Sequence, residues 1–388
     1  MNKYDSVVIG LGAMGSASVY QLAKKGQHVL GIDQFTLPHV HGSSHGETRI
    51  TRQAIAEGRA YVPLVLRANE LWKEIEKETG RELYTKTGIL IMASNIADRP
   101  NRFVDDTIAA ANEYGIQHSE LTGDEIKNRF PQFNIEGHEK GYFEDGAGFL
   151  HAEECVTAQL ELATKYGADL NVGEKFLSYE QQSEGIIIKT DKAKYLTDKI
   201  ILTVGSWVQD ILPAVYKDEI KIYRQVMYWF EIPDDTRNYR VGNFPVFNWE
   251  FNTTHEDFMY GFPSIDGRSI KIATEQYDVT TNPDTVDRTV SDEEIQTMYK
   301  QYVLPHLAGV SPKCVRSEAC LYSVAPAWRF LIDFHPENSN VIIASPCSGH
   351  GFKHSAAIGE VVADMVKGLP TKVDIQEFGF SKLNKNNV

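Results

Sequence analysis

The stretch YDSVVIGLGAMGSASVYQLAKKGQHVLGID, residues 4–33, decides the fold. Tyr4 to Ile9 is a short apolar run that stops at Gly10, and Met14 to Lys25 carries apolar residues at helical spacing before Gly26. Val29 to Ile32 is a second apolar run that ends at Asp33. Strand, glycine turn, helix, strand is the opening unit of a doubly wound α/β sheet. Gly10-Leu-Gly12-Ala-Met14-Gly15 matches G-x-G-x-x-G. Its glycines permit a tight turn, close backbone approach to a pyrophosphate, and close packing of helix on strand. The start of the helix offers amides and a positive dipole end to the phosphates. Asp33 lies at the spacing of an acid that holds a ribose hydroxyl pair, which argues against NADP and leaves NAD and FAD.

Outward from this unit, Lys199 to Val204 reads as a buried strand running into Gly205 and Trp207. Asn340 to Ala344 is another, followed by a glycine-rich turn and a helix from about Ala356 to Val366. Tyr223 to Ile232 and Phe258 to Thr274 are β-rich. With 388 residues the chain is long enough for two or three domains. The expected fold is mixed α/β, a Rossmann-like nucleotide-binding domain interleaved with a sheet-rich substrate domain. The first would comprise residues 1–84, 148–218 and 325–388, the second residues 85–147 and 219–324.

Lys and Arg number 39 against 53 Asp and Glu, a net charge of -14. Such a surface repels nucleic-acid backbones and anionic membranes, so neither is an expected partner. It also repels an anionic substrate, whose site would need its own cluster of Arg and Lys. The four cysteines form no CxxC pair, and no apolar run reaches membrane-spanning length. A cytoplasmic protein with reduced thiols is expected.

Three further segments narrow the reading: PHVHGSSHGETRITRQAIAEGRAYVPLVLRANELW (Pro38–Trp72), Ala319-Cys320-Leu321-Tyr322, and SGHGFKHS (Ser348–Ser355). Together they closely resemble the monomeric sarcosine oxidase and N-methyltryptophan oxidase family. Its members are FAD-dependent amine oxidases of the D-amino-acid-oxidase-like group. The resemblance runs from the first strand to the last helix. It implies FAD as cofactor, a small secondary (N-methyl) amino acid and O2 as substrates, H2O2 as product, and a monomer. N-methyltryptophan, pipecolate or another secondary amino acid would suit the same family. An NAD-linked dehydrogenase and a non-catalytic flavin-binding relative are the competing readings.

The resemblance also implies roles for individual residues. Cys320 matches the cysteine joined to the flavin 8α carbon as a thioether; alone it would read as a buried apolar residue. Arg52 and Lys353 match the pair that holds the substrate carboxylate, a planar fork and a point charge. Arg49 lies one helical turn from Arg52 if the segment is helical, and Glu47 or Glu57 offers either arginine a plain ion pair. Arg49, His45 and the turn containing Ser43 correspond to residues close to the flavin ring. Gly349, His350, Gly351 and Phe352 form a turn facing the flavin pyrimidine, where a helix start and Lys353 would favour negative charge on the reduced ring. Lys271 matches the oxygen-activating lysine, although a lysine on a half-buried strand is ordinarily a surface group. Tyr260 and Tyr322 match substrate-pocket tyrosines.

The chain departs from the family at Glu275, where a histidine is usual near the substrate amine. Glu275 is four residues from Lys271 and so falls on the same strand face, free to pair with it, to bind a cation, or to point away. Ala327-Trp328-Arg329 and Ser345-Pro346-Cys347 also differ. These changes leave the identity of the substrate open.

Overall fold

The computed structural model describes residues 2–94, 102–232, 236–251 and 257–383. The strand Lys3–Ile9 pairs in parallel with Val29–Asp33 on one side and Lys194–Leu202 on the other. Asp169–Val172 adds beyond the first and Asn338–Ser345 beyond the second, again in parallel. Five parallel strands thus come from three distant stretches of chain. Val8 joins the core on one face of this sheet, and Val7 and Ile9 join the core on the other. Burial on both faces is why these strands read as unbroken apolar runs. The helix Ala13–Lys24 packs against Ser355–Lys367 and Ala152–Lys165. A Cβ on Gly359 would sit 2.4 Å from the backbone of Ala17, so a glycine sets how closely the first two of these helices approach.

Among the described residues a second sheet has eight strands, in the order Cys314–Val324, Lys221–Glu231, Ser269–Ala273, Phe258–Gly261, Val246–Glu250, Ile89–Ser94, Glu139–Glu144, Ser119–Thr122. Ile270 and Ile272 enter an aromatic core on one face, and Ala273 joins Cys320, Tyr322, Met227 and Trp229 on the other. Lys271, on the same face as Ala273 by strand alternation, is 4% exposed, which rules out a surface lysine. A small third sheet joins Thr48–Thr51 to Gly148–His151, which also pairs with Tyr84–Lys86.

This third sheet corrects one expectation. Thr48–Thr51 is a strand, so Arg49 and Arg52 are not related by a helical turn. Pairing with a segment about a hundred residues away overrides the local spacing. A second correction concerns Glu275: the strand ends at Ala273, and Glu275 does not share a strand face with Lys271.

Candidate active site

A cavity of about 760 Å³ runs from Gly10, Gly12, Met14 and Asp33 at one end to Arg52, Tyr260, Lys271, Glu275, Tyr322 and Lys353 at the other. At the first end, Gly10 has φ +87°, and a Cβ there would lie 2.6 Å from the Thr203 carbonyl oxygen. A Cβ on Gly15 would lie 1.7 Å from the Gly10 carbonyl, so the turn requires glycine at both places. Gly12 at the start of the helix Ala13–Lys24 has no side chain to cap it, the first turn carries no acid, and the Ser44 hydroxyl accepts the Ala13 amide at 3.1 Å. The start lines the cavity, where its positive dipole end favours phosphate oxygens. Asp33 accepts the amides of Leu11 (2.7 Å) and Phe35 (2.8 Å), which fixes its carboxylate beside the turn. A helix start without acids in its first turn, glycines that a side chain would displace, and a fixed acid fit an extended dinucleotide.

Midway, Arg49 donates to the carbonyls of Ser43 and Thr48, both at 2.8 Å, and so folds the intervening turn around itself. Ser43 donates its hydroxyl to the Leu321 carbonyl, tying this turn to the strand that carries Cys320 and Tyr322. Lys271 Nζ donates to the carbonyls of Gly46 (2.7 Å) and Thr48 (2.6 Å) and lies 4.0 Å from the centre of the Phe262 ring. Burial, aided by Arg49, pushes its pKa well below the usual lysine value. Glu153 accepts the amides of Gly46 and Glu47 and so braces the backbone whose carbonyls hold Lys271.

At the far end, Arg52 donates to both oxygens of Glu57 at 2.8 Å and to the Ala54 carbonyl at 2.6 Å. Burial favours a neutral Glu57, but Arg52 above all holds its carboxyl well below the usual range. Lys353 Nζ donates to the His350 carbonyl at 2.6 Å. Burial brings Lys353 down to about 7, against the upward pull of Glu57. Tyr260 and Tyr322 meet hydroxyl to hydroxyl at 3.3 Å. Glu275 accepts a hydrogen bond from Tyr277 at 2.7 Å, and burial raises its carboxyl to about 7. The Tyr277 ring meets Trp328 edge to face at 5.9 Å, at the mouth formed by Ala327 and Trp328.

Of the residues expected from sequence to hold cofactor or substrate or to act in catalysis, Gly15, His45 and Cys320 lie behind the cavity wall, and the remainder line it. Gly15 packs against Gly10. His45 is 2% exposed and meets Glu318 at 3.2 Å, and burial lowers its pKa against the upward pull of that carboxylate. Cys320 is buried beside Tyr322, and burial pushes its thiol up to about 11. Sequence reasoning missed Tyr277 as a site residue, because it lies beyond the end of the strand, where alternation no longer marks a face. It missed Asn248, whose buried Oδ1 has no hydrogen-bond partner among the described residues and which pairs across the sheet with Tyr260. It also left Glu57 as one of two possible partners for an arginine.

A nucleotide cradle joined to a buried cationic pocket is the layout of an enzyme that oxidises a small molecule against a bound dinucleotide. The chain belongs to the FAD dependent oxidoreductase (DAO) family, whose pattern matches residues 5–365. It is 36% identical over 381 residues to monomeric sarcosine oxidase from Bacillus sp. (strain B-0618), covering 98% of this chain and 96% of that protein. It is 31% identical over 383 residues to N-methyl-L-tryptophan oxidase from Yersinia pestis (strain Pestoides F), covering 98% and 99%. The structure of NikD, described as an unusual amino acid oxidase essential for nikkomycin biosynthesis, superposes with a TM-score of 0.83 at 20% identity, covering 98% of both chains. Family membership decides the choice that Asp33 left open, and the cofactor is FAD.

Proposed function

We propose that the protein is an oxidase of small secondary amino acids, of the sarcosine-oxidase type, that removes an N-methyl group or opens a C–N bond with O2 and yields H2O2. The observation that carries this reading is the buried Arg52–Lys353 pair, facing the tyrosines Tyr260 and Tyr322, at the opposite end of the cavity from Asp33. An acidic protein buries two cations in one pocket only with compensating charge. Glu57 answers Arg52, and a substrate carboxylate would answer Lys353.

FAD, when bound, supplies the two-electron acceptor for the amine C–H bond and delivers those electrons to O2. The chain's own residues do the rest. Lys353 and Arg52 hold the carboxylate; Tyr260 and Tyr322 orient the amine; the helix start at Ala13 receives the pyrophosphate. Lys271 stands as the cation that stabilises reduced oxygen species, and Cys320 as the site of a covalent thioether to FAD. Residues 1–84, 148–218 and 325–388 form the FAD-binding part, with 85–147 and 219–324 as the substrate part. A cytoplasmic location accords with the cysteine pattern, and a monomer with the name of the monomeric sarcosine oxidase relative.

The test is peroxide release by the yellow purified enzyme with sarcosine, N-methyltryptophan, pipecolate, proline and glycated amino acids. Anaerobic bleaching near 450 nm by the active compound is expected. An enzyme bleached by none of them is not an amino-acid oxidase.

A further inference from the structure

Glu275 stands in the cavity just past the strand Ser269–Ala273. Its Oε2 accepts from Tyr277, and its Oε1 lies against Gly349, where a Cβ would come within 3.4 Å of it. The titratable groups turned toward this end of the cavity come from every neighbouring element. They are Tyr277 from its own segment, Tyr260 from the strand Phe258–Gly261, Tyr322 from the strand Cys314–Val324, Lys353 and His350 from the 348–353 turn, and Arg52 and Glu57 from the loop after Thr51. Among the described residues, no Lys, Arg or His makes an ion pair with Glu275.

The charges decide what this site accepts. Arg52 and Lys353 carry two positive charges when ionised, and Glu57 and Glu275 two negative ones. An amino-acid anion would leave this buried end with an uncompensated negative charge, a costly arrangement away from water. A zwitterion adds no net charge. It sets its carboxylate on Lys353 and Arg52 and its ammonium against the only one of the two carboxylates that lacks a cationic partner.

Resting on the amino-acid oxidase reading above, we propose that Glu275 is the base of this enzyme: it binds the substrate as the zwitterion and takes the ammonium proton. In that step the N–H bond breaks, an O–H bond forms on Glu275, and the nitrogen recovers the lone pair that oxidation of the neighbouring C–H bond requires. No other co-reactant is needed. Burial raises Glu275 to about 7 while Tyr277 holds it down, which suits a group that accepts and returns a proton near neutrality. Tyr277 is then a positioning residue, acting on the substrate through Glu275.

The experiment compares FAD-loaded wild type, Glu275→Gln and Tyr277→Phe by kcat/KM against pH. It also compares binding of two isosteric probes, glycine betaine, which carries a fixed cation, and 3,3-dimethylbutanoate, which carries none. Wild type should show an acid limb near pH 7 and prefer betaine at pH 8, the preference fading by pH 6 as Glu275 takes a proton. Glu275→Gln should lose about 100-fold in kcat/KM at pH 8, regain about tenfold per pH unit until the substrate's own ammonium titrates, and lose the betaine preference. Tyr277→Phe removes a hydrogen bond to the carboxylate, so its acid limb should move to higher pH. A Glu275→Gln enzyme with the wild-type profile and probe preference overturns the proposal and leaves the oxidase reading standing. Wild type inert toward every amino acid overturns both. Should Glu275→Gln fail to fold, an unmoved limb in Tyr277→Phe, or a betaine preference indifferent to pH in wild type, overturns it equally.

Discussion

Arg52 holds both carboxylate oxygens of Glu57 at 2.8 Å through a single terminal nitrogen, so it enters the pocket already neutralised. Glu57→Gln removes that partner and leaves a guanidinium only 3% exposed without compensation. The expected loss of stability approaches about 3–5 kcal/mol. Because Arg52 depresses the folded pKa of Glu57, its contribution is complete above the unfolded value and disappears as pH falls toward the folded one. The gap in melting temperature between wild type and variant should therefore be full at pH 7 and begin to close below about pH 4.3. A gap that is the same at pH 7 and pH 3 would show that the ion pair is not its source.

Lys271→Met replaces a buried ammonium with an apolar chain of similar length beside Phe262 and Trp229. Anaerobic reduction of the enzyme by substrate should survive. Reoxidation by O2, followed at 450 nm after rapid mixing, should slow by about 100- to 1000-fold, the usual scale for losing one preorganised charge. Equal losses in both half-reactions would remove the lysine from oxygen chemistry.

Cys320→Ala tests the tether. Acid precipitation of wild type should leave the yellow colour in the pellet, whereas the variant should release it to the supernatant. Colour that is released from both would mean that FAD is held without a covalent bond.

Ala327 and Trp328 adopt φ +54° and +53° in succession, a left-handed pair made of residues that carry side chains. Such backbone costs about 1 kcal/mol or more per residue. Ala327→Gly should therefore raise the melting temperature slightly, while loosening Trp328 at the cavity mouth should raise KM more than it changes kcat. A lower melting temperature would mean that the turn is not strained at Ala327.

Much of this molecule is legible in its residues, unevenly and for physical reasons. Gly10, Gly12, Gly15 and Asp33 declare the nucleotide cradle because strand, turn and acid are all local. Ile270 and Ile272 likewise announce which way Lys271 points. Arg49 and Arg52 mislead, because the strand that contains Arg49 exists only through pairing with Gly148–His151. The placement of Glu275 on the face of Lys271 fails because nothing in the spacing marks the end of the strand at Ala273. The Arg52–Glu57 pair was one of several that neighbouring charges allowed, and only folding selected it.

The parallel sheet that carries the cofactor cradle is completed by Asn338–Ser345, and the cavity is closed by the 348–353 turn. During synthesis, the Gly10 loop leaves the ribosome more than three hundred residues before the segment that finishes its binding site. The strand Lys3–Ile9 meets its outer neighbour Lys194–Leu202 only much later, and the open edge of that strand waits in turn for Asn338–Ser345. Cofactor capture would then be a late event that seals an almost finished chain, and a shortage of FAD would show first as protein stalled one strand from closure.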